Sequence, residues 1–246
     1  MTTTDQRLVL RLYARTAHTA QDTLTALDQL SGDGDFGDNL CEGLDRVTTA
    51  LDACPDEPPF AVAARVFLDE VGGTSGPLIG LLFQEIARAF APVAGEHDAG
   101  HHGSGHDDAG DHEAGDHDGA AWRSGVREGL AAIQRVGEAE PGDRTLVDAL
   151  VPALAALDAG ADVRDVALAA LEGAQSTAAL RARRGRASYV GERALGSPDP
   201  GALGIALLFW SAALAADRPA GELTDHLTTA LGTVTSGPAA PAGGGR

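Results

Sequence analysis

The chain contains no lysine at all; its 18 basic residues are arginines. That absence excludes a Walker A loop, which needs its Gly-Lys-Ser/Thr, and the strand lysine of protein kinases. If the protein handles a polyphosphate, then backbone N–H groups, arginine and a metal must meet the negative charge. Aromatic residues are also scarce, at 4%, against 43% hydrophobic residues rich in alanine and leucine. That balance favours helices over sheets, and no strand pattern stands out. The two cysteines, Cys41 and Cys54, lack metal-site spacing and read as free thiols of a reducing compartment. No apolar run is long enough to span a membrane, and Met1–Asp5 lacks the character of a signal sequence. The expected location is the cytoplasm. A net charge of −18 should repel nucleic acid and anionic membranes.

What is present is acidic and patterned. Asp28, Asp33 and Asp35 follow a D-x4-D-x-D spacing. The first lies near the end of an apolar helical pattern, and the others lie in a glycine-punctuated loop that can fold back. Carboxylates crowded in this way repel one another unless a hard cation lies between them, and Mg2+ takes such oxygen ligands. The alternative is a helix end followed by a solvated acidic turn.

Apolar periodicity predicts helices over about 5–30, 39–51, 60–71, 77–90, 122–136, 145–157, 162–184 and 201–216. Pro152 should kink the sixth, and the eighth is so apolar that it must be buried. Residues 95–120 hold six of the eight histidines, with many Asp and Gly and no arginine, and are expected to form a disordered insertion. Beyond residue 218 a short helix over 222–231 and a flexible tail are expected. The fold class is therefore all-α: an antiparallel bundle or barrel spanning 1–218, interrupted by the insertion.

Four loops rich in Gly, Asp, Ser and Thr each precede a helix: 31–39, 72–77, 137–145 and 196–201. In an antiparallel bundle, alternate connections share one end, so helix N-termini there could hold phosphate without lysine. The cluster Arg181, Arg183, Arg184 reads as charge complementing the end of the seventh helix; Arg186 and Arg193 lie beyond it in the loop, where one of them could reach a phosphate.

Four segments carry a family resemblance: LDQLSGDGDFGDN at 27–39, GGTSGPLIG at 72–80, GEAEPGDRTLVDALVPA at 137–153 and ARRGRASYVGERALGSPDPGA at 182–202. They are similar, in order, to the L subunit of dihydroxyacetone kinase, its ADP-binding subunit. The resemblance implies an eight-helix barrel binding ADP or ATP at one end through two Mg2+ ions. It implies that Asp28, Asp33 and Asp35 are the metal ligands, and that Phe36, Gly37, Asp38, Asn39, Thr74 and Ser75 lie against the phosphates. Gly137 and Leu146 would line the adenine pocket, and Arg186, Asp199, Pro200 and Gly201 would complete the site. No residue of this chain is expected to act as a general base.

The implied activity is that of a phosphoenolpyruvate–glycerone phosphotransferase subunit, active only with partners. A phosphohistidine protein would phosphorylate the bound ADP, and the ATP formed would donate to dihydroxyacetone on a separate K subunit. The nucleotide half of an ATP-dependent kinase and a non-enzymatic nucleotide-binding regulator remain alternatives. One departure stands out. The family commonly has His after the third aspartate, where this chain has Phe36, and a phenyl ring cannot hydrogen-bond a phosphate, although its backbone N–H could.

Overall fold

A computed structural model describes residues 3–91, 110–189 and 194–216, without side-chain detail for 3–4 and 110–117. Among the described residues there are eight α-helices and no strand: α1 (Thr3–Ser31), α2 (Phe36–Ala53), α3 (Pro59–Asp69), α4 (Ser75–Ala89), α5 (Gly110–Gly137), α6 (Val147–Asp158), α7 (Val163–Ser176) and α8 (Pro200–Ala215). Each helix packs on the next, and α8 packs back on α1, so the ring closes.

Helix α8 explains the closure. Every residue from Pro200 to Ala213 is buried, as its uniform apolarity demands. Its few polar groups are satisfied by α1: the Tyr13 hydroxyl donates to the Gly204 carbonyl at 2.8 Å, and Thr16 and Ser211 share a hydrogen bond of 3.0 Å. The scarce aromatic rings are concentrated in one cluster, where Tyr13, Phe60, Phe67, Phe83, Phe90, Trp122 and Phe209 meet mainly tilted or edge-on. At the rim opposite the four Gly/Asp loops, Arg7 of α1 donates to the Leu51, Cys54 and Pro55 carbonyls and so closes the open end of α2. Cys41 and Cys54 are free, and burial pushes the Cys41 thiol up to about 12.

Three sequence expectations need correction. Helix α2 begins at Phe36 rather than 39. Helix α5 begins at Gly110, so the C-terminal part of the expected disordered insertion is helical. Once the stretch from Trp122 onward is packed, each residue added to the helix gains a hydrogen bond without a new nucleation cost. The rest of the insertion, the expected helix at 222–231 and the tail lie outside the described residues.

The third correction concerns α7, which stops at Ser176 rather than 184. The buried Thr177 hydroxyl bonds back to the Ala174 carbonyl and accepts the Asp199 N–H at 2.7 Å. A short 3-10 turn (Thr177–Ala179) follows, and the chain is extended by Leu180. Arg181, Arg183 and Arg184 therefore lie in a loop and do not complement a helix end.

The α4–α5 pair is held at backbone distance. A Cβ on Gly125 would lie 2.6 Å from the Ile86 Cα, and one on Gly129 2.6 Å from the Leu82 Cδ1. Gly125→Ala should therefore destabilise the fold by about 1 kcal/mol or more, because overpacking of 1–3 kcal/mol outweighs the helix propensity gained. Urea unfolding checks this, and an unchanged or raised midpoint would contradict the close approach.

Candidate functional site

The closed ring brings the α1–α2, α3–α4, α5–α6 and α7–α8 connections to one rim. They line one open cleft.

The acidic corner is built by a turn. Asp28 lies in the last turn of α1, where its carboxylate accepts the N–H groups of Gly34 at 3.0 Å and Phe36 at 3.1 Å. These two bonds fold the loop back over the helix end. Gly34 takes a left-handed φ of 83°, which glycine adopts without cost. The result is that Asp28, Asp33 and Asp35 each offer an oxygen within 4.8 Å of the others. Arg186, in the 3-10 turn Arg186–Tyr189, forms a close ion pair with Asp33 and lies 3.9 Å from Asp35. The corner thus already attracts a cation.

The second wall is the start of α4. Thr74 is its N-cap residue yet makes no side-chain cap, and Gly73 turns into it at φ 76°. Thr74 and Ser75 line the cleft beside Asn39. The third wall is the α5–α6 connection, where Gly137, Ala139 and Leu146 line the cleft. It is closed by a reciprocal cap: Asp148 accepts the N–H of Thr145 at 2.8 Å while the Thr145 hydroxyl accepts that of Val147 at 3.2 Å. The fourth wall is the start of α8, where Asp199 caps the N–H of Ala202 at 2.8 Å and is followed by Pro200 and Gly201.

Of the residues singled out in the sequence, Asp28, Asp33, Asp35, Phe36, Asn39, Thr74, Ser75, Gly137, Leu146, Arg186, Asp199, Pro200 and Gly201 line this one cleft. Gly37 and Asp38 do not. Gly37 is pressed against Thr25 and Gln21 of α1. Asp38 accepts a hydrogen bond from Gln21 at 2.8 Å, on the outer side of α2, and neither caps that helix nor joins the acidic corner. The Phe36 N–H is already given to Asp28, and its ring is buried against Gly204 and Leu40.

Sequence reasoning missed Arg144. It is 1% exposed, lines the cleft, and reaches across to the α7–α8 connection. A lone cation in a Gly/Asp loop next to an apolar helix was the available signal. Arg183 and Arg184 have structural partners: the Arg183 N–H donates to the Asp143 carbonyl, and Arg184 pairs with Glu138 at 3.1 Å.

The family-scale comparison agrees with this geometry. The DAK2 domain family model matches residues 31–214. The chain belongs to the DAK2 domain family. Over 76% of its length it is 35% identical to the ADP-binding subunit DhaL of PEP-dependent dihydroxyacetone kinase 1 from Listeria innocua, covering 83% of that protein. It is 33% identical to the corresponding DhaL subunit of Escherichia coli, with 80% and 90% of the two chains covered. It is also 34% identical, over 81% of its length, to L-erythrulose 1-kinase of Mycolicibacterium smegmatis, but spans only 33% of that protein. Among solved structures, the dihydroxyacetone kinase of C. freundii in complex with AMP-PNP and Mg2+ matches with a TM-score of 0.59 and 26% identity, covering 85% of this chain and 33% of that one. The chain therefore spans about a third of the longer relatives.

The charge balance of this DAK2 cleft gives two expectations. Burial pushes the Asp199 carboxyl up to about 6, with Asp148 and Asp28 adding to the rise and the Ala202 N–H and Arg144 opposing it. A carboxyl that binds its proton more tightly folded than unfolded favours folding at low pH. That contribution is lost as pH rises from about 4 to about 6. Asp199→Asn keeps a capping oxygen and cannot ionise, so urea midpoints should fall less steeply across that window than in the parent. Parallel profiles would contradict the buried charge. At the acidic corner, a divalent ion would have to compete with Arg186 for the same oxygens. Arg186→Gln should therefore bind Mn2+ alone several-fold more tightly, read by paramagnetic titration, and weaker binding would contradict that competition.

Proposed function

We propose that this DAK2 chain is the nucleotide- and magnesium-holding subunit of a dihydroxyacetone kinase. In this reading it relays a phosphoryl group from a phosphohistidine-carrying phosphotransferase partner, through bound ADP/ATP, to dihydroxyacetone held on a separate K subunit. The observation that carries the proposal is the convergence of Asp28, Asp33 and Asp35 at the mouth of a cleft that is otherwise walled by helix starts. Its likeness to two DhaL subunits, over most of their length, supports the same reading.

The residues fit the implied metal. The donors are all carboxylate oxygens, as a hard cation prefers, and a guanidinium already stands on two of them. Magnesium held there, as one ion or two, would neutralise phosphate charge, and the nucleotide would supply the phosphoryl carrier.

The chain's own contribution is positioning. Asp28, fixed by two loop amides, sets where the cation is held. Asn39, Thr74, Ser75 and the first-turn N–H groups of α4 offer donors to phosphate oxygens without lysine. Gly137, Ala139 and Leu146 give an apolar slot for the base. Arg186 exchanges its carboxylate partners for phosphate, and Asp199, Pro200 and Gly201 form the far wall. Gly37 and Asp38 have no part in it. The acceptor's proton is left to the partner that holds the acceptor, since among the described residues no histidine lines the cleft, and its carboxylates would be occupied by the cation, the loop amides and the caps. Cytoplasmic location suits such a subunit, and no helix among the described residues is long and apolar enough to cross a membrane.

The likeness to L-erythrulose 1-kinase favours a second reading, in which the chain is the nucleotide half of an ATP-consuming kinase. Denaturing the purified protein and identifying the released nucleotide separates the two. Stoichiometric ADP supports the relay, whereas an empty site that exchanges ATP freely supports the second reading. Asp33→Asn should abolish nucleotide retention with unchanged helical circular dichroism, and EDTA should lower the melting temperature of the loaded protein. Nucleotide retained by the variant would sink the metal assignment.

A further inference from the structure

Among the described residues Arg144 is the largest buried charged side chain, and the proposed chemistry has no use for it. Its backbone is left-handed at φ 61°, a conformation that costs a side-chain-bearing residue and is kept where the surroundings impose it. From the α5–α6 connection its Nη2 donates to the carbonyls of Ala194 at 3.2 Å, Ser197 at 3.0 Å and Pro198 at 3.5 Å. Those three residues lead directly into Asp199, Pro200 and Gly201. The Nε and Nη1 groups are buried without a hydrogen-bond partner. A desolvated guanidinium with unused donors is a poor way to stabilise a fold, since a hydrophobic side chain of similar length would cost less.

We propose that Arg144 is a positioning residue of the nucleotide cleft: it ties the wall that holds the base to the wall formed by the start of α8, and so sets the width of the cleft between them. The inference rests on the nucleotide-binding reading above. Where the two walls meet, a Cβ added to Gly201 would be 3.8 Å from the Leu146 Cβ, in ordinary contact, so the glycine leaves room for a methyl group between them and the spacing is not fixed by packing alone. Opening of the walls is opposed at the surface by Arg183 and Arg184 on Asp143 and Glu138, and from inside by Arg144, the buried side chain that spans the gap. Its charge also faces Asp199, which Asp148 and Asp28 push the other way.

The separation of binding from folding tests this. Arg144→Met and Arg144→Lys, in the full chain, are titrated with Mg·ADP carrying a fluorescent ribose label, beside the parent protein. Apo unfolding midpoints are measured for all three. Arg144→Met is expected to weaken binding at least tenfold while its apo midpoint stays within a few degrees of the parent, because it removes a buried charge along with the tether. Arg144→Lys, which keeps the charge and one donor group, is expected to recover part of the affinity. It should also restore the pH profile of binding, whose acidic limb moves to higher pH in Arg144→Met because Asp199 loses its opposing charge. Parental affinity in Arg144→Met would overturn the proposal. If Arg144→Met does not fold, Arg144→Gln, neutral and shorter, takes its place: parental affinity would overturn the proposal equally, and reduced affinity with a parental apo midpoint would support it. A parent protein that itself fails to bind Mg·ADP would sink the nucleotide reading, and this inference with it.

Discussion

Helix α8 has no polar side, and the rest of the structure follows from the need to cover it. A sixteen-residue helix without a solvent face cannot be an outer stave of an open bundle. Its neighbours α1 and α7 must enclose it, with α2 and α6 closing the remainder. Once α8 is packed on α1, the chain has returned to its start. Four of the seven connections then stand on one rim. The cleft is therefore a by-product of burying an apolar helix, and the chemistry is concentrated in the connections, where sequence can vary without disturbing the packing.

The rim divides its charge. On one side three carboxylates crowd together, and on the other the arginines of the α7–α8 connection face them. In a chain without lysine, the described arginines of the rim divide its acidic and carbonyl partners among them. Arg183 and Arg184 are tied to Asp143 and Glu138 and hold the third and fourth walls together. Arg144 is sunk beneath that contact and holds the same walls from inside. Among the described residues, which leave out Arg193, Arg186 alone stands over the acidic corner. Guanidinium groups suit this division because their planar donors can serve several carbonyls or two carboxylates at once.

How much of this was legible in the sequence depended on range. The helices could be read because each is a local period, and the burial of α8 because apolarity on every side admits one environment. The three aspartates could be read because their convergence needs only one turn of chain. Where the sequence misled, a distant partner decided. The period that suggested a helix to residue 184 is cut at Ser176 because Thr177 is claimed by the backbone of Asp199, twenty-two residues on. Asp38 looked like part of an acidic loop, but α2 starts three residues earlier than its pattern suggested and turns that side chain outward to Gln21. Arg144 carried only a faint local sign, a lone cation in a Gly/Asp loop, because the carbonyls it serves are fifty or more residues away.

Phe36 shows how a change at the centre of such a site is absorbed. The position lies between two demands, one from the acidic turn and one from the core. Its N–H is committed to Asp28, and any residue other than proline meets that demand. Its side chain is 7% exposed and rests against Gly204, where α8 has no Cβ to obstruct it. An imidazole there would have to find a polar partner or accept burial without one. A phenyl ring gains from the same burial. The substitution moves the residue's allegiance from the cleft to the core and leaves the geometry of the carboxylates to the backbone. In the proposed reading the donors facing a phosphate would then be those of Asn39, Thr74, Ser75 and Arg186, and the acidic corner stays intact because it never depended on that side chain.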